Sequence, residues 1–220
     1  MKLAMAVSCL GNLAALSAVS ADDGELSPLT VVGGKDRALD LVGSAAYLDT
    51  GDIRNHSDAN INRILAKVPG VYVREENGYG NFPNISIRGV DGGRSAKLTI
   101  MEDGVLMAPA AYSAPSAYYS PSAGRMSGLE VLKGSSQIKY GPHTTGGVIN
   151  YLSTNIPAGQ EFYTRMTYGS DNTLFSHTYF GDTVQTSRGA FGYLLEMHYH
   201  RSDGFRSVQG HGGLDTGFEL

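Results

Sequence analysis

Three runs set the strongest limits on how this chain can fold: Asn84 to Val90 (NISIRGV), Met101 to Val105 (MEDGV) and Leu129 to Asn150 (LEVLKGSSQIKYGPHTTGGVIN). Each joins a β-prone stretch to a glycine or an Asp-Gly pair, so each reads as a short strand ending in a reversal. Glu102-Asp103-Gly104 predicts a tight turn, because Asp and Gly tolerate the positive φ that a hairpin requires. Gly134, Gly141, Gly146 and Gly147 predict further close reversals. With 29 glycines and 13 tyrosines and no long helical period, the composition also favours short strands and special-dihedral turns.

The remaining pattern up to Pro157 predicts a small α/β domain over residues 35–157, a mixed sheet with short helices. Ser57 is a candidate N-cap for a helix through Lys67, with Ile61, Ile64 and Leu65 on one face and Pro69-Gly70 as its stop. Strands are expected at Val71 to Arg74, Asn84 to Arg88, Lys97 to Met101, Val105 to Met107, Leu129 to Leu132 and Val148 to Ser153. After Pro157 the period changes to longer alternating segments with polar turns at Gly169 to Asn172 and Gly181 to Gly189. In the clearest, Ala190 to Arg201, Phe191, Tyr193, Leu195, Met197 and Tyr199 share one face, and Gly192, Glu196, His198 and His200 share the other. Phe162 to Tyr168 and Leu174 to Phe180 are weaker versions. An apolar face opposite a polar one over about ten residues suits a transmembrane β-barrel strand, although a soluble antiparallel sheet has the same period.

Residues 1–21 read as a secretory signal, with Lys2 at its start, an apolar stretch from Leu3 to Leu16 and a small-residue cleavage site at Val19-Ser20-Ala21. The only cysteine, Cys9, lies inside it, so the exported chain is expected to contain no disulfide and no cysteine-ligated metal. The segment 22–34 is polar and glycine-containing apart from Leu29-Thr30-Val31-Val32. That β-prone island is either the first strand of the domain or a strand that pairs with the edge of another protein's sheet. A formal net charge of −4 without a long basic run argues against nucleic acid as a partner. No nucleophile, metal or phosphate-loop constellation stands out: Gly78-Tyr79-Gly80 lacks a third glycine, and His198-x-His200 has no third ligand in sequence. The chain therefore reads as a non-enzyme without a cofactor.

In this order, ILAKVPGVYV, IRG, the Asp-Gly turn, LEVLKG, YGP and GGVIN resemble the plug domain of TonB-dependent outer-membrane receptors, most closely the ferric citrate and ferric siderophore group. The resemblance implies an α/β plug followed, over 158–220, by the first antiparallel strands of a transmembrane barrel in the Gram-negative outer membrane. It implies energy-coupled uptake of an iron chelate, with TonB, the ferric chelate and outer-membrane lipid as partners. Leu29, Thr30, Val31 and Val32 would then be the TonB box. Arg88 and Lys133 would face acidic groups on the barrel wall. The apical loops carrying Asn77, Tyr79, Asn81 and Tyr112, Ser116, Tyr118, Tyr119 would contact the ligand, the tyrosines being rigid amphipathic groups.

The chain departs from that pattern in three ways. Ala114 and Ser116 stand where the ferric citrate group tends to present amide side chains. Only Asp22 to Pro28 precede the box, leaving no room for the signalling domain of some members, so transport without such signalling is expected. Family barrels have about 22 strands, whereas the residues after Pro157 suffice for about three. A piece of a longer receptor, or a truncated gene product that transports nothing by itself, is the resulting expectation. The alternatives are a soluble periplasmic chelate-binding module and a receptor for another large nutrient such as cobalamin.

Overall fold

A computed structural model describes residues 30–41, 43–55, 60–76, 80, 82–90, 93, 95–107, 120–140, 145–204 and 218–219. The signal reading (1–21) and Ser57 lie outside the described residues. The chain runs α1 (Lys35–Asp40), β1 (Ala45–Leu48), α2 (Thr50–Asn55), α3 (Ile61–Leu65), β2 (Val71–Val73), β3 (Ile85–Ile87), β4 (Leu98–Glu102), β5 (Val105–Leu106), β6 (Met126–Leu132) and β7 (Gly147–Ser153). Short 3-10 turns at Ala123–Arg125 and Ser135–Tyr140 flank β6. Then come β8 (Glu161–Tyr168), β9 (Leu174–Thr186), β10 (Gly189–Arg201) and β11 (Phe218–Glu219).

The first sheet has the order β1-β6-β7-β4-β5, parallel only between β4 and β7. It is the mixed sheet expected, with β2 and β3 forming a separate two-stranded ribbon. Alternation divides the sheet's residues between two cores. Leu98, Ile100, Leu129, Val131, Ile149 and Tyr151 face a large cluster completed by Ile53, Ile61, Ile64 and Leu65 of α2 and α3. Met101, Leu132 and Val148 face a small second cluster, which Val31 and Val32 cover. The predicted Asp-Gly turn is present, with φ 48° at Asp103 and 77° at Gly104. The Asp103 carboxylate accepts from the Ser153 N–H and Oγ at 2.9 and 2.6 Å, which ties the hairpin to the end of β7.

The helix expected from a Ser57 cap is shorter, and Asn60 caps it by accepting from the Asn62 N–H at 2.9 Å. Three further elements, α1, β1 and α2, carry no long period and escape a pattern reading. Yet α2 has a local signature: Asp49 Oδ1 accepts from Asp52 N at 2.8 Å while Asp52 Oδ2 accepts from Asp49 N at 3.2 Å, a reciprocal capping box. The bond from the Asp52 N–H holds the Asp49 carboxyl below its ordinary value of 3.8. Asp49→Ala is expected to destabilise the domain by about 1 kcal/mol at neutral pH. Because the folded-state pKa is depressed, that contribution is present above the unfolded value and is lost as pH falls through the lower folded one. Thermal unfolding of both proteins at neutral pH and near pH 3 should therefore show the gap closing in acid.

The second sheet has the order β11-β10-β9-β8, wholly antiparallel among the described residues. Phe162, Met166, Tyr168, Phe191, Leu195 and Met197 are exposed on its outer side. Phe175, His177, Tyr179 and His198 are buried on the inner side, against the α/β domain. One expectation fails here: Gly181 to Thr186 is strand and not turn, and the reversal is confined to residues 187–188. Position 181 excludes a side chain, since a Cβ there would stand 2.7 Å from Pro157 Cδ and 2.9 Å from the Tyr193 carbonyl. Glycine in this strand serves a close approach of chains, not a bend.

Candidate functional site

Val31 and Val32 are not in a strand of this domain, so the first of the two alternatives for the island, a first strand of the domain, does not hold. Their backbone donors are committed elsewhere. The Val31 N–H donates to Glu130 Oε2 at 2.6 Å, and the Val32 and Gly33 N–H groups donate to Oε1 at 3.0 and 3.1 Å. In a strand, successive groups alternate in direction; here three converge on one carboxylate, with Gly33 at φ 84°. Backbone donors clustered in this way form an anion-binding concavity. Glu130, on β6, is fully buried. Asn150, its cross-strand neighbour on β7, donates from Nδ2 to Oε2 at 2.8 Å. The Tyr140 hydroxyl donates to the Val31 carbonyl at 3.3 Å. A charged group at this depth is tolerated only when its lone pairs are filled, and four donors fill these. The Tyr47 hydroxyl, opposite Glu130 on β1, has its pKa raised by burial and then by the Glu130 and Asp49 charges.

A second assembly joins the α/β domain to the inner face of β8–β10. Arg54, on α2, lies 4.1 Å from the Tyr163 ring centroid and donates to the Tyr179 hydroxyl at 3.3 Å, while Arg165 Nη1 donates to the Arg54 carbonyl at 3.2 Å. Tyr179 in turn donates to Glu161. Further along, Glu196 Oε1 takes the Thr154 hydroxyl and His177 Nε2, each at 2.7 Å, and Ser122 Oγ lies 2.9 Å from His198 Nε2. Gly124 lets the chains approach, since a Cβ there would stand 2.7 Å from the His198 ring and 2.8 Å from that of Phe175. A cavity of about 270 Å³ remains between the two bodies, with Arg54, Arg165, Glu161, Tyr163 and Ser127 in its wall. Sequence reasoning did not single out Arg54 or Glu196; the capping box before Arg54 and the polar face of β10 were the available signals.

Of the expected site residues, Thr30 is exposed and Val31 and Val32 are buried, while Leu29 lies outside the described residues. Arg88 is exposed with φ 53°, its N–H bonded to the Gly70 carbonyl. Lys133 is buried and donates from Nζ to the Pro69 carbonyl at 2.8 Å, a contact within the α/β domain. Burial, followed by the Arg88 charge, lowers its pKa from the ordinary lysine value. Asn77, Tyr79, Asn81, Tyr112, Ser116, Tyr118 and Tyr119 lie outside the described residues. Among the described residues no cluster of His, Cys, Asp or Glu has the arrangement of a metal site.

A mixed-sheet domain whose second core is closed by its own N-terminal segment, docked on the polar side of strands that are apolar outside, defines a plug seated against a barrel wall. The TonB-dependent receptor plug domain model matches residues 37–148, and the chain belongs to that family. Solved structures share its fold. The ferric citrate transporter FecA in its unliganded form superposes with a TM-score of 0.64 at 22% identity, over 80% of this chain and 28% of that one. The ferric yersiniabactin uptake receptor FyuA from Yersinia pestis gives 0.58 at 20% identity, over 80% and 27%. The siderophore receptor PirA from Acinetobacter baumannii gives 0.51 at 20%, over 72% and 24%. The chain thus spans about a quarter of the length of these structures.

Proposed function

We propose that this chain is the plug-bearing part of an outer-membrane receptor that takes up an iron chelate, of the citrate or siderophore class, using energy delivered by TonB. The observation that carries the reading is the family match together with the seating of Val31 and Val32. An N-terminal segment that closes a core from outside can be withdrawn without breaking a strand pairing. Leu29 to Val32 serve as the box to which TonB adds a strand, and the loops around Asn77 to Asn81 and Tyr112 to Tyr119 contact the chelate. Arg88, which is exposed, is offered as a contact for parts of the wall beyond β8–β10, whereas the Lys133 ammonium is already committed inside the α/β domain. The outer membrane is the setting in which the outward apolar residues of β8–β10 meet lipid.

The energy source is sufficient in size. A charge crossing about 100 mV releases roughly 2.3 kcal/mol, and a typical domain unfolds at about 5–15 kcal/mol, so a few charges suffice to rearrange a plug in part. Val31→Pro removes a donor that an added strand needs. In iron-starved cells producing the protein, it is expected to abolish uptake of radioiron-loaded citrate or siderophore while leaving surface binding within about twofold. Uptake unchanged by that substitution would overturn the coupling. Binding of cobalamin in place of any ferric chelate would overturn the substrate class.

A further inference from the structure

We propose that Glu130 is an internal competitor for the backbone of the N-terminal segment, and that Asn150 is the residue that positions it. The proposal rests on the reading of Leu29 to Val32 as a strand-adding segment, and it assigns that segment a resting state held by one carboxylate. An incoming strand bonds to groups that alternate along an extended chain. The N–H groups of Val31, Val32 and Gly33 instead converge on Glu130 at 2.6, 3.0 and 3.1 Å. They cannot serve both partners. The apolar side chains reinforce the same state, because Val31 and Val32 lie on Met101, Leu132 and Val148. Exposing the segment thus requires the carboxylate to give up its donors and the second core to lose its cover, as one event.

Asn150 gives the carboxylate a connection to the rest of the domain. Its Nδ2 donates to Glu130 Oε2 at 2.8 Å, and its Oδ1 accepts from the Gly104 N–H at 2.9 Å. One amide therefore spans from the Asp103-Gly104 turn to the carboxylate. The turn is bonded independently to Ser153 through Asp103, and it leads through β5 into residues 108–119. A displacement of that hairpin pulls on Asn150 Oδ1, and the amide can follow only by weakening its bond to Glu130. The geometry makes Glu130 and Asn150 a two-residue link between the hairpin and the N-terminal segment.

The test uses the full chain in detergent micelles, with Cys9→Ser to remove the native thiol and Val32→Cys as a reporter at a buried position. Maleimide labelling of the reporter is expected to be slow, and Glu130→Gln is expected to speed it about tenfold or more, since a side-chain amide offers its NH2 to donors that need an acceptor. Tyr140→Phe, which removes only the bond to the Val31 carbonyl, should give a smaller increase. Asn150→Ala should also speed labelling, while amide exchange in β4 and β7 stays slow if the residue positions the carboxylate and does not merely support the fold. In the protein without any substitution, the Val31, Val32 and Gly33 amides should exchange more slowly than that of Thr30. Fast exchange at those three positions, or labelling unaffected by Glu130→Gln, would overturn the proposal. The periplasmic domain of TonB, added as a probe, should bind the Glu130→Gln protein about tenfold more tightly than its parent. If labelling accelerates but that domain binds neither protein, the internal competitor stands and the coupling reading under Proposed function falls.

Discussion

Tyr151→Ala is expected to destabilise the α/β domain by about 3–5 kcal/mol, a large fraction of what such a domain has. Tyr151 is 1% exposed and lies in the larger core. It occupies β7, the central strand of the five-stranded sheet, and is registered with Leu129 on β6 and with Glu102 on β4. Truncation leaves a void bordered by strands that are already paired, so the walls cannot close on it. Its carbonyl also accepts from the Asp103 N–H at 2.8 Å, and loosening of β7 should reach the hairpin. A urea titration of the chain in micelles, followed by amide exchange in β6 and β7, should show the midpoint fall; a shift worth less than about 1 kcal/mol would mean that the core repacks.

Gly134→Val is expected to have the next largest effect, about 3 kcal/mol, at the upper end of what overpacking usually costs. A Cβ at Gly134 would stand 2.9 Å from Gly43 Cα and 3.2 Å from the Ser44 N. Both are backbone atoms, so no flexible side chain can yield. Here the chain leaving β6 crosses the chain entering β1, next to the pairing that sets Tyr47 opposite Glu130. The loss should therefore appear first as faster exchange in β1 and then as lower global stability. Unchanged exchange across Ala45 to Leu48 in the Gly134→Val protein would contradict this account of the crossing.

The sequence reading of glycine was correct about importance and mixed about cause. Gly104 is a turn glycine with positive φ, as the Asp-Gly pair predicts. Gly134 and Gly181 were read as reversals, but what excludes a side chain at each is a neighbouring segment. Local sequence specifies the dihedral needs of a hairpin, whereas an approach between segments distant in sequence has no local signature. The same reason explains why α2, with its capping box, was legible in retrospect while β1 was not: a cap is made by residues three apart, but β1 is a strand only because β6 pairs with it.

By itself the sequence determined four of the five strands of the central sheet, the Asp103-Gly104 turn, the outward face of β10 and the motif order that identifies the plug. These depend on short-range geometry: period-two alternation, glycine and aspartate dihedrals, and spacing along the chain. Only the tertiary structure decided the state of Val31 and Val32 and the role of Glu130. In the LEVL run, Glu130 has the position of an ordinary polar member of an alternating strand, and nothing nearby marks it as buried. It is buried because a segment nearly 100 positions earlier lies across that face of the sheet and brings three backbone donors to one carboxylate. Arg54 likewise acquires its place from Tyr163 and Tyr179, which reach it only when β8 and β9 dock. The physical reason is common to both, the buried Glu130 and the half-buried Arg54: a charge withdrawn from water is permitted by its partners, and those partners are assembled by the fold and not by the neighbouring sequence.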